Sequence, residues 1–528
     1  MPKCDQKSRL ITLRSCVNNP AHGFPLLLTQ SARTETRLPV HDLPFQSAAD
    51  QISAIASGEV SSEELLDVYL SRIGTHNARL NAIVTLDTDR ARREAREADA
   101  KRASGAELGP LHGLPITLKD SYETAGLRTA CGRPDLKAYV PEQDAEAVRR
   151  LRAAGAVIIG KTNMPAGNQD VQADNPVFGP TLNPWNTTRT SGGSAGGGAV
   201  ATAAGLTAFD FGSEIGGSTR IPAHFNGLYG HKATWRSIPL IGHVPGGPGV
   251  GRWGEIDLAC AGAQVREARD LVPILRATVG PPERDGGFGY TLAPPRASEL
   301  GGFRVAVWTE DPSCPVDDDV AAAMDDALNA LRAAGAKVDV RPTSLPVSMA
   351  TSHDVFLRLL FGAFTYDRSG LTPASNAALL ARVVQRPRGE AMYALRGTFQ
   401  SHYSWLQADV ERHELRQRWT EFFRDFDVLL MPVTSTTAPP HHDKPIDRFG
   451  RRILVNGQSR PYWEQVKWSA IANVAGSPAT TVPVRTGRDG MPVGLQAMGP
   501  SGGDLTTIKF AELLGQELAG YQPPPAFA

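Results

Sequence analysis

Short apolar runs rich in β-branched residues alternate along this chain with longer segments whose apolar residues recur every three or four positions. PITLKD (115–120) is followed by EAVRRLRAAGA (146–156) and VIIGKTN (157–163). Further on, GFRVAVWTE (302–310) precedes VAAAMDDALNALRAAGA (320–336) and AKVDVRP (336–342). A period near two marks a strand and one near 3.6 a helix, and their alternation builds a sheet covered by helices on both faces. The expectation is an α/β protein: a three-layer α/β/α sandwich around a large mixed, mostly parallel sheet. DVLLMPV (427–433) and ATTVPV (479–484) read as late strands of the same sheet.

Residues 1–45 mix proline and basic residues with one short apolar patch, PLLL, too brief for a signal-peptide core, and read as an irregular N-terminal arm. The folded body is expected over 46–528. It opens with SSEELLDVYLSRI (61–73), where serines precede an acidic first turn and apolar residues at helical spacing. ARREAREADAKRASG (91–105) continues as a helix whose charges mark a solvated face. Residues 350–425 carry many helix formers and aromatics and end in VERHELRQRWTEFFRDF. They read as a helical insertion or cover whose aromatic stripe is core.

The charge balance excludes several classes. With 55 Lys+Arg against 55 Asp+Glu there is no basic field for nucleic acid, so a small-molecule substrate is favoured. The five cysteines, Cys4, Cys16, Cys131, Cys260 and Cys314, show neither CxxC pairs nor metal-ligand spacing. A cytoplasmic protein without metal or cofactor fits, and no apolar stretch reaches the ~18 residues a membrane helix needs. His441 and His442 follow a turn-rich segment and read as solvent-exposed.

Chemistry concentrates in two glycine-rich clusters, SGGSAGG (191–197) and GSEIGGSTRIP (212–222). Glycine lets peptide NH groups approach a ligand closely, so hydroxyls can sit beside bare amide donors, the arrangement acyl transfer needs. Upstream, LHGLPITLKDSYET (111–124) ends an apolar run at Lys119 and Asp120, bringing an amine to a strand end. A lysine near its ordinary pKa of about 10.4 is protonated at neutral pH, so only burial would let Lys119 act as a base. Two other motifs compete. Gly249, Gly251 and Gly254 satisfy GxGxxG but follow VPGGP rather than a strand, which fails the dinucleotide context. Residues 192–196 also fit GxSxG, which would make Ser194 the nucleophile of a strand–turn–helix elbow, although the polar NPWNTTRT before it reads as a loop.

From GLPITLKD through GKTNMP, NPVFGPTLNPWNTTRTSGGSAGG and GSEIGGSTRIPAHFNGLYGHKAT to GSPATTVPV and DGMPVGLQAMGP, the chain resembles the amidase signature family of serine hydrolases. The resemblance implies a Ser-cisSer-Lys triad, with Lys119 as base, Ser194 as the bridging serine after a cis peptide, and Ser218 as nucleophile. It also implies an oxyanion hole from the backbone NH groups of Ile215, Gly216, Gly217 and Ser218. The implied activity is cleavage of an amide C–N bond, or of a carbamate or ester, through an acyl-serine. A free-standing enzyme, with a homodimer left open, is expected ahead of the alternative, a partner-dependent glutaminase subunit of a tRNA amidotransferase. Four positions depart from the family pattern: Ala195 where a second serine is common, Glu214 where aspartate is usual, and His224 and Asn226 where small or sulfur-bearing residues are usual. Arg220 is expected to pair with Glu214, His224 to be a core histidine, and Asp120 to point away from Lys119.

Overall fold

The computed structural model describes residues 43–252, 254–285, 289–340, 344–366, 373–385, 389–442 and 449–528. Most of the expected arm, with Cys4 and Cys16, lies outside the described residues. Among the described residues thirteen strands occur: β1 (Ile83–Leu86), β2 (Pro115–Lys119), β3 (Val157–Thr162), β4 (Asp210–Glu214), β5 (Tyr229–Lys232), β6 (Cys260–Val265), β7 (Arg304–Val307), β8 (Lys337–Val340), β9 (Val428–Pro432), β10 (Arg452–Val455), β11 (Gln458–Pro461), β12 (Ala479–Thr486) and β13 (Pro492–Met498). β10 and β11 form a hairpin; the other eleven make one sheet in the order β1-β3-β2-β4-β6-β5-β12-β13-β9-β7-β8.

The sheet is mixed, as expected, but its parallel pairs are confined to two flanking groups. β3-β2-β4 and β9-β7-β8 are parallel, while the centre from β4 to β9 and the edge pair β1-β3 are antiparallel. Four of the ten pairings are therefore parallel, so "mostly parallel" overstates them. Strands with little β-branched character, such as DFGSE and CAGAQV, make much of the antiparallel middle.

Alternate residues of one strand feed two different cores, which is what a sheet covered on both faces requires. On β9, Val428 and Leu430 join the larger core while Leu429 and Met431 join the second; on β7, Val305 and Val307 part from Ala306 in the same way. The larger core gathers the helices Ser62–Leu80, Asp318–Ala333 and Asp504–Gln516. The second gathers Met349–Ala363, His402–Asp425 and Lys467–Ala475. The helix Ser62–Leu80 opens with a full capping box, the Ser61 side chain accepting from Glu64 N while the Glu64 carboxylate accepts from Ser61 N.

β2 carries the first site residue. Ile116 and Leu118 belong to the larger core, and the two-residue period turns Thr117 and Lys119 to the opposite face.

Candidate active site

Lys119 is fully buried, and its amine meets three oxygens: Ser194 Oγ at 2.7 Å, the Ser213 carbonyl at 3.0 Å and Ser213 Oγ at 3.2 Å. Burial lowers its pKa from 10.5 to about 7, against the opposing pull of Asp210, Glu214 and Cys131. Near neutral pH a large share of this amine is therefore uncharged.

Ser194 follows a cis Gly193–Ser194 peptide and sits in a loop that passes into the helix Gly196–Ala203. The residues just before it form no strand, so the strand–turn–helix elbow is absent at this serine. Likewise Gly249 and Gly251 fall in the one-turn helix Pro248–Gly251, not at a strand-to-helix junction. The loop is fastened to the second cluster by Ala195 N, which donates to Ser218 O at 3.0 Å.

Ser218 lies in the turn between β4 and the helix Arg220–Asn226, and with Lys119, Ser194, Ser213 and Ile215 it lines one cavity. The carbonyls of this turn are engaged: Gly216 O accepts from Ser469 Oγ, Gly217 O from Ile221 N, and Ser218 O from Ala195 N. Ile215, Gly216 and Ser218 also line an adjoining apolar cavity. Gly217 has φ +111°, and a Cβ there would fall 2.3 Å from Ser469 Oγ, so the turn has no room for another residue. Lys119, Ser194 and Ser218, with Ile215 and Gly216, are thus brought to one place.

The turn is anchored by Arg220 and Glu214, both fully buried, with Nε–Oε2 at 3.1 Å and Nη2–Oε1 at 2.5 Å. Burial alone would raise the Glu214 pKa, but the Arg220 guanidinium holds it below its ordinary value. Arg220 also donates to Asn473 Oδ1, Ser469 O and Gln496. His224 is a core histidine, its ring nitrogens meeting Gly494 and Thr436 O. Asp120 turns from Lys119 towards Lys161, 3.8 Å away, and accepts from Ala130 N.

His441 and His442 correct the expectation of solvent exposure. Both are half-buried: His441 is held by Gln172 and Asp174, and His442 packs edge-on to Tyr462, because the segment folds back over the 170–174 loop. Sequence reasoning also passed over Ser213, His243 and Asp210. His243 Nε2 lies 2.7 Å from Ser213 Oγ, behind the lysine. Asp210 accepts from Thr117 and Thr162, and burial raises its pKa to about 7. Ser213 stood inside the motif already singled out; nothing in linear spacing pointed to the other two.

The adjoining cavity is walled by Ile221, Phe356, Leu360, Phe364 and Trp463, so the helical segment after 349 supplies much of its apolar lining. The carboxylate in its lining, Asp170, is occupied by Arg451 at 2.7 Å and the Tyr462 hydroxyl at 2.8 Å.

The profile of the family described as Amidase matches residues 64–508. In Synechococcus sp. strain CC9605, the first of the lettered components of glutamyl-tRNA(Gln) amidotransferase is 32% identical to this chain over 472 residues, covering 84% of this chain and 91% of that one. The indoleacetamide hydrolase of Bradyrhizobium diazoefficiens strain USDA 110 is 31% identical over 466 residues, covering 85% and 82%. The solved 6-aminohexanoate cyclic dimer hydrolase in complex with substrate superposes with a TM-score of 0.72 at 25% identity, covering 92% of this chain and all of that one. Fold and matches together define an enzyme of amide chemistry. The chain belongs to the amidase signature family.

Proposed function

We propose that this protein hydrolyses the C–N bond of an uncharged amide bearing an apolar group, through an acyl-enzyme on Ser218. The observation that carries the reading is the buried Lys119 amine 2.7 Å from Ser194 Oγ, its pKa lowered to about 7. Neutral Lys119 takes the Ser194 proton as Ser194 takes that of Ser218, and Ser218 Oγ adds to the carbonyl carbon. Backbone NH groups of Ile215, Gly216, Gly217 and Ser218 meet the developing oxyanion, and losing one such donor typically raises the barrier by about 3–4 kcal/mol. The relay then reverses, protonating the leaving nitrogen, and water releases the acid.

The substrate class follows from the lining. An aromatic and aliphatic wall with its carboxylate already paired offers a charged group no counter-ion, whereas a neutral ring gains contact with Phe356, Phe364 and Trp463. Esters and carbamates of the same shape present the same carbonyl to Ser218.

A serine-directed phosphonate, followed by peptide mass mapping, tests the mechanism. The adduct is expected on Ser218; an adduct on Ser194 overturns the assignment. A matched panel of aryl and short aliphatic amides, esters and carbamates reads the substrate class, with aryl amides expected to show the highest kcat/KM.

The similarity to a component of glutamyl-tRNA(Gln) amidotransferase favours a second reading, a glutaminase working inside a tRNA-linked assembly. Glutamine hydrolysis that appears only with partner proteins present would select it. Turnover of the apolar amide by the isolated chain selects the first.

A further inference from the structure

Ser213 Oγ lies between Lys119 Nζ, 3.2 Å away, and His243 Nε2, 2.7 Å away. His243 is buried, its ring tilted against Tyr122 with centroids 4.9 Å apart, and it lines the same cavity as Lys119, Ser194 and Ser218. We propose, resting on the relay above, that His243 is a positioning residue. By accepting the Ser213 hydroxyl proton it obliges Ser213 Oγ to accept from Lys119, which leaves the lysine lone pair to Ser194 alone.

An uncharged lysine amine has two N–H bonds and one lone pair, and the carbonyl of Ser213 can only accept. If both N–H bonds go to Ser213 O and Ser213 Oγ, the lone pair faces Ser194, the direction proton transfer needs. A serine hydroxyl has one proton, so Ser213 stays an acceptor only while that proton is directed elsewhere. Of the two acceptors beside it, Nε2 of His243 at 2.7 Å, with the ring proton on Nδ1, receives it rather than the Tyr122 hydroxyl, whose own proton goes to Gly212 O.

The opposite tautomer conflicts with both states of the lysine. A donating Nε2–H would turn the Ser213 proton onto Lys119, where it competes with Ser194 for the neutral lone pair and opposes the three donors of the ammonium. Burial and the nearby Lys119 and Lys161 both disfavour a charged imidazole, so His243 stays neutral, and its Nε2 accepts in the tautomer that carries the ring proton on Nδ1. Ala195 carries no hydroxyl to share this task, so the third oxygen around Lys119 comes from β4 and is oriented from the 240–245 loop.

The test is a double-mutant cycle on the full-length enzyme with H243F, H243Q, S213A and S213A/H243F. H243F keeps a ring but no acceptor and is expected to lower kcat about tenfold, the kinetic size of one ordinary hydrogen bond, with KM held. H243Q restores an acceptor oxygen and is expected to recover most of the rate. In the S213A background no proton remains to misdirect, so H243F is expected to cost within about twofold.

Equal H243F penalties in both backgrounds, or an H243Q rate as low as that of H243F, overturn the proposal. The acid limb of kcat gives a second readout, because Lys119 also faces Asp210, Glu214 and Cys131 and titrates in their field. A pocket merely loosened by H243F rehydrates the lysine and moves the limb up, which counts against positioning; the proposal expects it unmoved or lower. Should H243F fail to fold, H243L carries the same cycle. Absence of a phosphonate adduct on Ser218 in the unmutated enzyme removes the underlying relay, whereas an adduct combined with additive losses removes only the role of His243.

Discussion

Lys119 and Lys161 sit at the ends of neighbouring parallel strands, one residue out of register, Lys161 pairing with Leu118 and Lys119 with Thr162. Both side chains are fully buried, and burial lowers the pKa of each. Their partners differ. Lys161 has a carboxylate, Asp120, at 3.8 Å and donates to Tyr122 O and Thr129 Oγ1. Lys119 touches alcohols and a carbonyl, with Asp210 and Glu214 acting only through space. A buried lysine with an acid beside it is a charge held in place, while one surrounded by hydroxyls can exchange a proton with them. The comparison therefore supports the proposed chemical role of Lys119 and an architectural role for Lys161.

The largest expected effect anchors the reactive side. Ser218→Ala should lower kcat by about a millionfold, the scale for losing a nucleophile, and should yield no phosphonate adduct by mass spectrometry. Lys119→Met should follow, at about 10² to 10⁴-fold in kcat with the fold intact by circular dichroism. Retained turnover in that variant would place the base elsewhere.

Lys161→Met should do the reverse. It strands the buried Asp120 carboxylate, so denaturant titration should show a loss of about 3–5 kcal/mol, and Asp120→Asn in the same chain should restore part of it. If Lys161→Met instead leaves stability unchanged and abolishes turnover, the division between the two lysines is wrong.

The pH profile gives the smallest and sharpest contrast. The base must be unprotonated, so kcat should rise with pH through about 7, the value to which burial brings Lys119, and level off above it. Asp210, raised to about 7 as well, titrates in the same range, so the limb belongs to the coupled pair. Asp210→Asn removes a carboxylate that favours the ammonium, so the limb should move to lower pH. A move to higher pH would contradict the field argument.

Much of this was legible in the chain itself. Lys119 stood out because PITL is a short apolar run that ends in an amine, and the serines stood out because glycine clusters are rare without a backbone reason. The central strands were not legible: DFGSE, YGHK and CAGAQV owe their conformation to neighbours on both sides rather than to β-branched side chains. Asp210 and His243 were missed for the same reason. Asp210 meets Thr117 through the parallel pairing of β2 with β4, and His243 meets Ser213 across 30 residues, contacts that sheet order and not spacing creates.

Phe356, from the helix Met349–Ala363, lies so close to the Cα of Gly216 that a methyl group there would fall 2.7 Å from its ring. The apolar wall and the turn that bears Ser218, the proposed nucleophile, are therefore one mechanical unit. Redesigning the enzyme for bulkier substrates by trimming Phe356 would slacken the turn beneath it, exchanging speed for breadth, and a ring replaced elsewhere along the wall would widen the pocket without that loss.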